Sequence, residues 1–543
     1  MNLALADTVA GTFAEAARRW PDRPMLAVLP ETAAAYGIAP GEITFAEAAA
    51  EVARLRGAFA AAGYRAGQRV MLLLQNRPDF FLHWLALNGL GLSVVPVNPD
   101  LRAAELDYMI GHAEPVAAIA IAPRGNDLAK AGRAVGLSLP VAAPGAPIPA
   151  PRSAEAAFDP EGDPARREAA LLYTSGTTGK PKGCVLSNSY FTLAGEWYAC
   201  AGGACDLSPK RGERMLTPLP VFHMNAMACS FMAMLTVGGC LIALDRFHPR
   251  TWWASVRESG ATCLHYLGVM PSMLMGAAPG PQDRAHAVRF GFGAGVDPKL
   301  HQPFEARFGF PLIEAWAMTE TGVGAVIAAN VEPRNPGTAC FGRPAPEVEL
   351  RIIDDDGADV AEGQPGELLV RRAGPDPRHG FFSEYLKDPA ATADAWAGGW
   401  FHTGDVVRRL PTGDLQFVDR KKNVIRRSGE NIAAVEVESA LMRHPAVAAA
   451  GVAAVHDAIR GDEVFACLVV RDTATPALAH GIAEWALGKI AYYKVPGYIA
   501  FVEALPLTAT QKIMRAELKA LAARLVDDPA THDLRALKKR GAA

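Results

Sequence analysis

The strongest constraint on the fold is an alternation along the chain. Short apolar runs at 70–74, 94–97, 117–121, 171–173, 241–244, 263–267 and 288–292 are separated by stretches with helical spacing, such as 45–62 and 250–258. A short apolar run without polar alternation reads as a strand covered on both faces, and strands that alternate with helices are joined in parallel. The chain is therefore expected to be α/β, with a large multi-layer N-terminal domain built on parallel-rich sheets. Its 543 residues suffice for several domains and a large core.

The pattern changes twice. From 348 it becomes strand–turn–strand (VELRIIDDDG, GELLVRR, GDLQFVDR), which predicts a β-rich subdomain. After 420 it is mixed, with a helix at 435–444, strands at 448–455 and 464–470 and a helix at 479–491, enough for one small α+β domain. The expected organisation is residues 1–420, residues 421–526, and a polar tail at 527–543 that should fray. The Ala-, Pro- and Gly-rich stretch 123–167 reads as a surface connection.

Composition narrows the partners. A net charge of −3 carries no polyelectrolyte signature, so neither nucleic acid nor an anionic membrane is expected. The eight cysteines are scattered singly without a C-x-x-C pair, which disfavours a zinc ribbon and suits reduced thiols in a cytoplasmic protein. The first 22 residues have the acids and arginines of an amphipathic helix and lack the apolar stretch of a secretory signal. Residues 224–244 are uncharged and about as long as a membrane span. Asn225, Ser230, Thr236 and the Gly238-Gly239 pair interrupt them, so a buried helix, a glycine turn and a strand at 240–244 are expected, and no membrane span.

The chemistry-bearing signal is LLYTSGTTGKPKG at 171–183. A buried strand enters a loop with three glycines, the hydroxyls of Thr174, Ser175, Thr177 and Thr178, and two lysines. Glycines let backbone N–H groups approach an oxyanion, and hydroxyls and Lys182 add donors and charge, a composition suited to a phosphate chain. The loop does not match G-x-x-x-x-G-K-[ST], so an ordinary P-loop NTPase is disfavoured.

This loop resembles the signature of the adenylate-forming superfamily of acyl-CoA synthetases, adenylation domains and firefly luciferase. Further segments resemble that family's motifs in its order: Trp316-Ala317-Met318-Thr319-Glu320-Thr321, Gly399-Trp400-Phe401-His402-Thr403-Gly404-Asp405, Val418-Asp419-Arg420-Lys421-Lys422, and Leu505-Pro506-Leu507-Thr508-Ala509-Thr510-Gln511-Lys512. The likeness spans nearly the whole chain. FHMNAMAC, VDRKKNVIRRSGENIAAVEVES and HDAIRGDE resemble the crotonobetaine/carnitine–CoA ligase subgroup.

The resemblance implies a large N-terminal domain, a small mobile C-terminal one, and an acid–CoA ligase that uses ATP, Mg²⁺ and coenzyme A and releases AMP and pyrophosphate. It implies that Thr174, Ser175, Gly176, Thr177, Thr178 and Lys182 hold the phosphates, that Thr319 reaches a phosphate oxygen, and that Glu320 ligates the metal. It places Trp316 against adenine, Asp405 on the ribose hydroxyls with Arg420 in support, and Lys512 between the substrate carboxylate and the α-phosphate. Joining two anions requires such charge neutralisation. Lys422 would be the hinge, and Arg426, Gly429 and Glu430 would meet CoA. His223, in a segment that resembles P-x-F-H, would lie at the gate of an acyl pocket formed by Met224, Met227, Tyr266, Gly293 and Ala317. Trp316, Ala317 and Gln511 depart from the family's usual Tyr, Gly and Gly; the added methyl of Ala317 is expected to narrow the acyl pocket. A carrier protein in place of CoA, or a nucleotide sensor without catalysis, are the alternatives; a homodimer stays open.

Overall fold

In a computed structural model the described residues are 6–101, 103–174, 181–420, 423–427, 430–457, 461–490, 492–508 and 512–538. The chain divides into two compact units. The first comprises Met1–Leu350, Leu369–His402 and Thr412–Gln416; the second comprises Arg351–Leu368, Thr403–Pro411 and Phe417–Ala543.

Two sheets organise the first unit. One has eight strands, in the order Ile327–Ala328, Leu312–Trp316, Phe290–Ala294, Cys263–Leu267, Arg214–Thr217, Cys240–Ala243, Pro24–Val28, Gly41–Thr44. Its six inner strands run parallel, and only the two edge strands are antiparallel. The other has seven, in the order Glu384–Tyr385, Lys182–Ser187, Glu168–Thr174, Ser93–Pro96, Arg69–Leu73, Ala117–Ala120, Val141–Ala142. The last five of these run parallel. Every residue of Arg69–Leu73, Ser93–Pro96 and Ala117–Ala120 is buried, as strands covered on both faces should be. Arg69 enters this interior only because Glu168 meets it in a two-pronged ion pair, at 2.7 and 2.6 Å.

The uncharged segment after 224 folds as a π-helix, Asn225–Phe231, and an α-helix, Met232–Val237; Gly238 at φ +61 then turns the chain into strand Cys240–Ala243. Among the described residues no helix is long and apolar enough to cross a membrane. The stretch expected to be a plain connection opens with a helix, Ala122–Ala134. Pro123 sits in its first turn, where a missing N–H costs nothing, and Leu128, Ala131 and Gly132 are buried. All eight cysteines are free thiols.

The β-rich stretch contains strands Val348–Ile353, Gly366–Arg372, Phe401–Arg409 and Leu415–Arg420. In the second unit a sheet runs in the order Glu430–Ala433, Val424–Arg427, Gly461–Val470, Tyr498–Phe501, His532–Asp533, with Val447–Asp457 also paired to Gly461–Val470. Strand Gly461–Val470 shows how it packs. Val464, Ala466 and Leu468 join one apolar cluster, with Ile482 of helix Pro476–Leu487. Phe465 and Cys467 join the other, with Leu518 and Ala522 of helix Arg515–Leu525. The period of two expected of a strand buried on both faces is thus explicit.

The polar tail is not frayed over its described part. His532–Asp533 pairs with Tyr498–Phe501, and Leu534 and Lys538 are buried. Polar composition points to solvent, but Lys538 finds a buried carboxylate, Glu463, that composition does not show.

Candidate active site

In the first unit, strands Glu168–Thr174 and Lys182–Ser187 are adjacent and antiparallel, with Thr174 opposite Lys182. They form the two ends of the hydroxyl-rich loop; Ser175, Gly176, Thr177 and Thr178 lie outside the described residues. Helix Ala103–Ala113 holds both ends: the Tyr108 hydroxyl donates to the Pro181 carbonyl at 2.9 Å, and His112 Nδ1 meets the Tyr173 hydroxyl at 2.8 Å.

Strand Glu384–Tyr385 adds to the same edge, with Tyr385 opposite Cys184. Lys182 is two residues from Cys184 along its strand, so it is a diagonal neighbour of Tyr385. Its ammonium lies 4.5 Å from the centre of the Tyr385 ring. The Tyr385 hydroxyl donates to Glu320 Oε1 at 3.0 Å. Burial, and then the nearby charge of Glu320, pushes the phenol pKa up, so it stays a donor. One phenol therefore connects the lysine expected at the phosphates to the carboxylate expected at the metal. No local signal in GFFSEYLKD marks this tyrosine; it is set by the pairing of residues 384–385 with 184–185, about 200 positions away.

The segment carrying Thr319 and Glu320 follows strand Leu312–Trp316. The Tyr190 hydroxyl donates to the Thr319 carbonyl at 2.9 Å, and the Phe382 N–H donates to the Glu320 carbonyl at 2.9 Å. Gly322 is required here. Its φ is +48, and a Cβ would lie 2.4 Å from the Tyr190 ring. Glu320 is buried and Thr319 half-buried. Among the described residues no three His, Cys, Asp or Glu side chains converge on a metal site. A single carboxylate is nevertheless a donor set that suits magnesium when phosphate oxygens and water complete its shell.

Trp316 is buried, its ring 6.2 Å from Phe341, and Ala317 is exposed. His223 is exposed, Met224 half-buried and Met227 fully buried. The π-helix that follows His223 is tied down by His265, whose Nδ1 lies 2.7 Å from both Asn225 Oδ1 and Ser230 Oγ and whose Nε2 lies 2.9 Å from the Tyr198 hydroxyl. Burial lowers the His265 pKa to about 3, so the ring is neutral. Asn225 Oδ1 can only accept, so Nδ1 carries the hydrogen and Nε2 accepts from Tyr198. Tyr266, on the other face of the strand, donates to the Ile313 carbonyl and to Glu314 at 3.1 Å each. Glu314 also accepts the N–H groups of Gly295 and Val296, at 2.8 and 3.0 Å. A Cβ on Gly293 would lie 2.2 Å from the Tyr266 carbonyl oxygen and 2.8 Å from its ring. A cavity of about 740 Å³ in the first unit, lined by Trp197, Cys200, Val326, Asn330, Arg343 and His379 among others, includes none of the residues singled out from the sequence. The described candidate residues therefore do not line that cavity.

In the second unit Asp405 is buried and ion-paired with Arg420 Nε at 2.6 Å. Its N–H donates to Thr403 Oγ1, whose hydroxyl donates to the Leu368 carbonyl at 2.7 Å. Lys512 is exposed at the end of a backbone loop. The Thr508 N–H donates to the Lys512 carbonyl at 2.7 Å, and the Lys512 N–H donates to Thr508 Oγ1 at 3.1 Å. The protein around it, and then the positive charge of Arg420, lower the Lys512 ammonium pKa. Arg426 and Glu430 lie on paired strands, Arg426 opposite Asn431 and Glu430 opposite Arg427. Lys422, Gly429 and Gln511 lie outside the described residues.

Known proteins resemble the chain along most of its length. It is 32% identical to a sulfoacetate–CoA ligase of Cupriavidus necator, over 94% of the chain and 97% of that protein. It is 29% identical to a crotonobetaine/carnitine–CoA ligase of Citrobacter koseri, over 88% and 93%. The o-succinylbenzoate–CoA synthetase of Bacillus subtilis, solved with its acyl-adenylate intermediate, superposes with a TM-score of 0.78 at 24% identity, over 94% of the chain and 97% of that protein, and so shares the fold. The class so defined is an AMP-forming acid–CoA ligase that works through an acyl-adenylate, with a carboxylic acid, ATP and CoA as substrates. The chain belongs to the AMP-binding enzyme family, whose model matches residues 13–382; the model of that family's C-terminal domain matches 436–512.

Proposed function

We propose that this ligase activates a short carboxylic acid in two half-reactions served by different residues. In the first, Lys182, Thr319 and the residues at 174–178 hold the phosphates of ATP, Glu320 holds Mg²⁺, and Trp316 and Asp405 with Arg420 hold the nucleoside. Bound magnesium would neutralise charge on the pyrophosphate as it leaves. Lys512 bridges the substrate carboxylate and the α-phosphate. In the second, the domain expected at 421–526, together with the tail whose strand His532–Asp533 joins its sheet, rotates about Lys422 against residues 1–420, and Arg426, Gly429 and Glu430 admit the CoA thiol arm. The observation that carries this reading is the Lys182–Tyr385–Glu320 relay, with its 4.5 and 3.0 Å contacts at the end of the hydroxyl-rich loop.

The short acid is supported by the substrates for which the relatives are named, sulfoacetate and crotonobetaine. Tyr266 backs directly onto Gly293, and Met227 is fully buried. A cytoplasmic location and a homodimer complete the proposal.

The test is pyrophosphate release with ATP, Mg²⁺ and a panel of acids, with and without CoA: sulfoacetate, crotonobetaine, short and branched aliphatic acids, benzoate and a long-chain fatty acid. Release stimulated by CoA with the short acids and not the long one is expected. Release indifferent to CoA, with no thioester formed, would transfer the acceptor role to a carrier protein.

A further inference from the structure

Strand Glu384–Tyr385 is only two residues long, yet it carries the phenol that joins Lys182 to Glu320. So short a strand gains little register from its own ladder, in which Glu384 faces Val185 and Tyr385 faces Cys184. A tie from outside the strand is needed to hold it. The Lys387–Glu114 ion pair beside it, at 2.8 Å, is exposed on both sides and contributes little. His112 is better placed. It lies in the last turn of helix Ala103–Ala113 and is half-buried. Its Nδ1 meets the Tyr173 hydroxyl at 2.8 Å, and the ring donates to the Leu386 carbonyl. Burial, and then the charge of Lys387, lower its pKa, so the ring is neutral. A neutral imidazole has one donor and one acceptor, so Nδ1 accepts from Tyr173 while the other nitrogen serves Leu386.

These two partners lie on either side of the lysine's strand. The sheet order is Glu384–Tyr385, Lys182–Ser187, Glu168–Thr174. Tyr173 is opposite Gly183, and the Leu386 N–H donates to the Gly183 carbonyl at 2.8 Å. A Cβ on Gly183 would lie 3.4 Å from the Tyr173 ring and 3.5 Å from Leu386 Cβ, so those two side chains close over the glycine. Successive side chains on a strand alternate between faces, so Lys182 and Tyr385 project from the opposite face. His112 thus holds the sheet from behind the relay. Tyr108, one turn earlier on the helix, stacks on His112 with ring centroids 5.3 Å apart and planes within 19°. Its hydroxyl donates to the carbonyl of Pro181, the residue before Lys182.

We infer that His112 is a positioning residue for the adenylation half-reaction: by bonding the strand on each side of Lys182, it sets the register in which Lys182 meets Tyr385 and Tyr385 meets Glu320. This rests on the reading of those three residues as the phosphate end of the active site.

The experiment measures the half-reactions separately in single turnovers of the full chain, with the acid that gives the strongest CoA-stimulated pyrophosphate release. Acyl-adenylate formation is followed without CoA at saturating ATP, and thioester formation is followed from preformed adenylate. His112→Phe keeps a ring against Tyr108 and deletes both hydrogen bonds, so adenylate formation should fall by about tenfold. Thioester formation, which begins after pyrophosphate has left, should change by less than about twofold. His112→Asn keeps an acceptor for the Tyr173 hydroxyl and should fall between wild type and Phe; it also serves if the Phe variant fails to fold. In a Tyr385→Leu background the relay is already broken, and His112→Phe should cost less than about twofold more. Equal loss in both halves, adenylate formation unchanged in the Phe variant, or losses that multiply in the double variant overturn the inference. Lys182→Met separates the two levels. If it leaves adenylate formation intact, the reading of the phosphate end fails. If it abolishes adenylate formation while His112→Phe does nothing, only the positioning role fails.

Discussion

Tyr385→Phe isolates the contact that organises the phosphate end of the site. The substitution keeps the ring beneath Lys182 and deletes only the hydroxyl that donates to Glu320 at 3.0 Å. Glu320 is 8% exposed, so water cannot readily replace the lost donor. A hydrogen bond to a charged partner is worth about 1.5–3 kcal/mol. If the contact is needed fully in the transition state, the adenylation rate should fall by about 10- to 150-fold. Tyr385→Leu also removes the ring 4.5 Å from the Lys182 ammonium. A cation–π contact of about 0.5–2 kcal/mol makes the Leu variant slower than Phe by a further factor of about 2 to 30. The assay is acyl-adenylate formation in a single turnover without CoA, at saturating ATP and titrated Mg²⁺. The Phe variant should need more Mg²⁺, because its carboxylate is no longer oriented. A Phe variant within about twofold of wild type at every Mg²⁺ concentration would refute the reasoning, and so would a Leu variant equal to Phe.

Three further outcomes are expected. Lys512→Ala should abolish adenylate formation and largely spare thioester formation from preformed adenylate; because its surroundings and Arg420 lower the ammonium pKa, the wild-type adenylation rate should decline as pH rises through a value below that of a free lysine, and this limb should shift upward in Lys512→Arg. Glu168→Gln leaves Arg69 buried without a counter-charge and should cost about 3–5 kcal/mol in a denaturant titration, with much of it recovered in the Arg69→Met, Glu168→Leu double variant; a loss below about 1 kcal/mol would contradict the assignment. Ala317→Gly should widen the acyl recess and admit longer acids, and an unchanged rank order across a chain-length series would remove that role from residue 317.

The strands were legible because their chemistry is simple. A parallel strand covered on both faces is apolar along most of its length, so 70–74 and 263–267 emerged as Arg69–Leu73 and Cys263–Leu267, with Arg69 and His265 as the buried exceptions. Helix Ala122–Ala134 was hidden by its composition: APRGNDLAKAGRA carries few apolar residues, and tertiary packing of Leu128 and Ala131 decides it. Glu320 and Lys182 could be named from motifs, whereas the phenol joining them depends on which strand lies beside which. The order of the tail at 527–538 was hidden for a similar reason. A lysine in a polar tail is ordinarily solvated, and its partner lies 75 positions away.

The same topology explains how the chemistry is divided. Lys182, Thr319, Glu320 and Tyr385 all belong to the first unit, where short edge strands place a cation, a hydroxyl and a carboxylate together. Asp405, Arg420 and Lys512 belong to the second. The second unit also carries the Val424–Arg427 and Glu430–Ala433 hairpin, so the lysine proposed for adenylation and the turn proposed for CoA share one body. In the proposed roles, Lys512 would meet an anion that must be neutralised, whereas residues 426–430 would leave room for a neutral thiol arm. Those demands differ in charge and in space, and they arise in sequence on the same acyl group. The rotation about Lys422 proposed above would let one body serve both demands in turn. Cross-linking the two units after adenylation should accordingly trap acyl-adenylate that CoA cannot discharge.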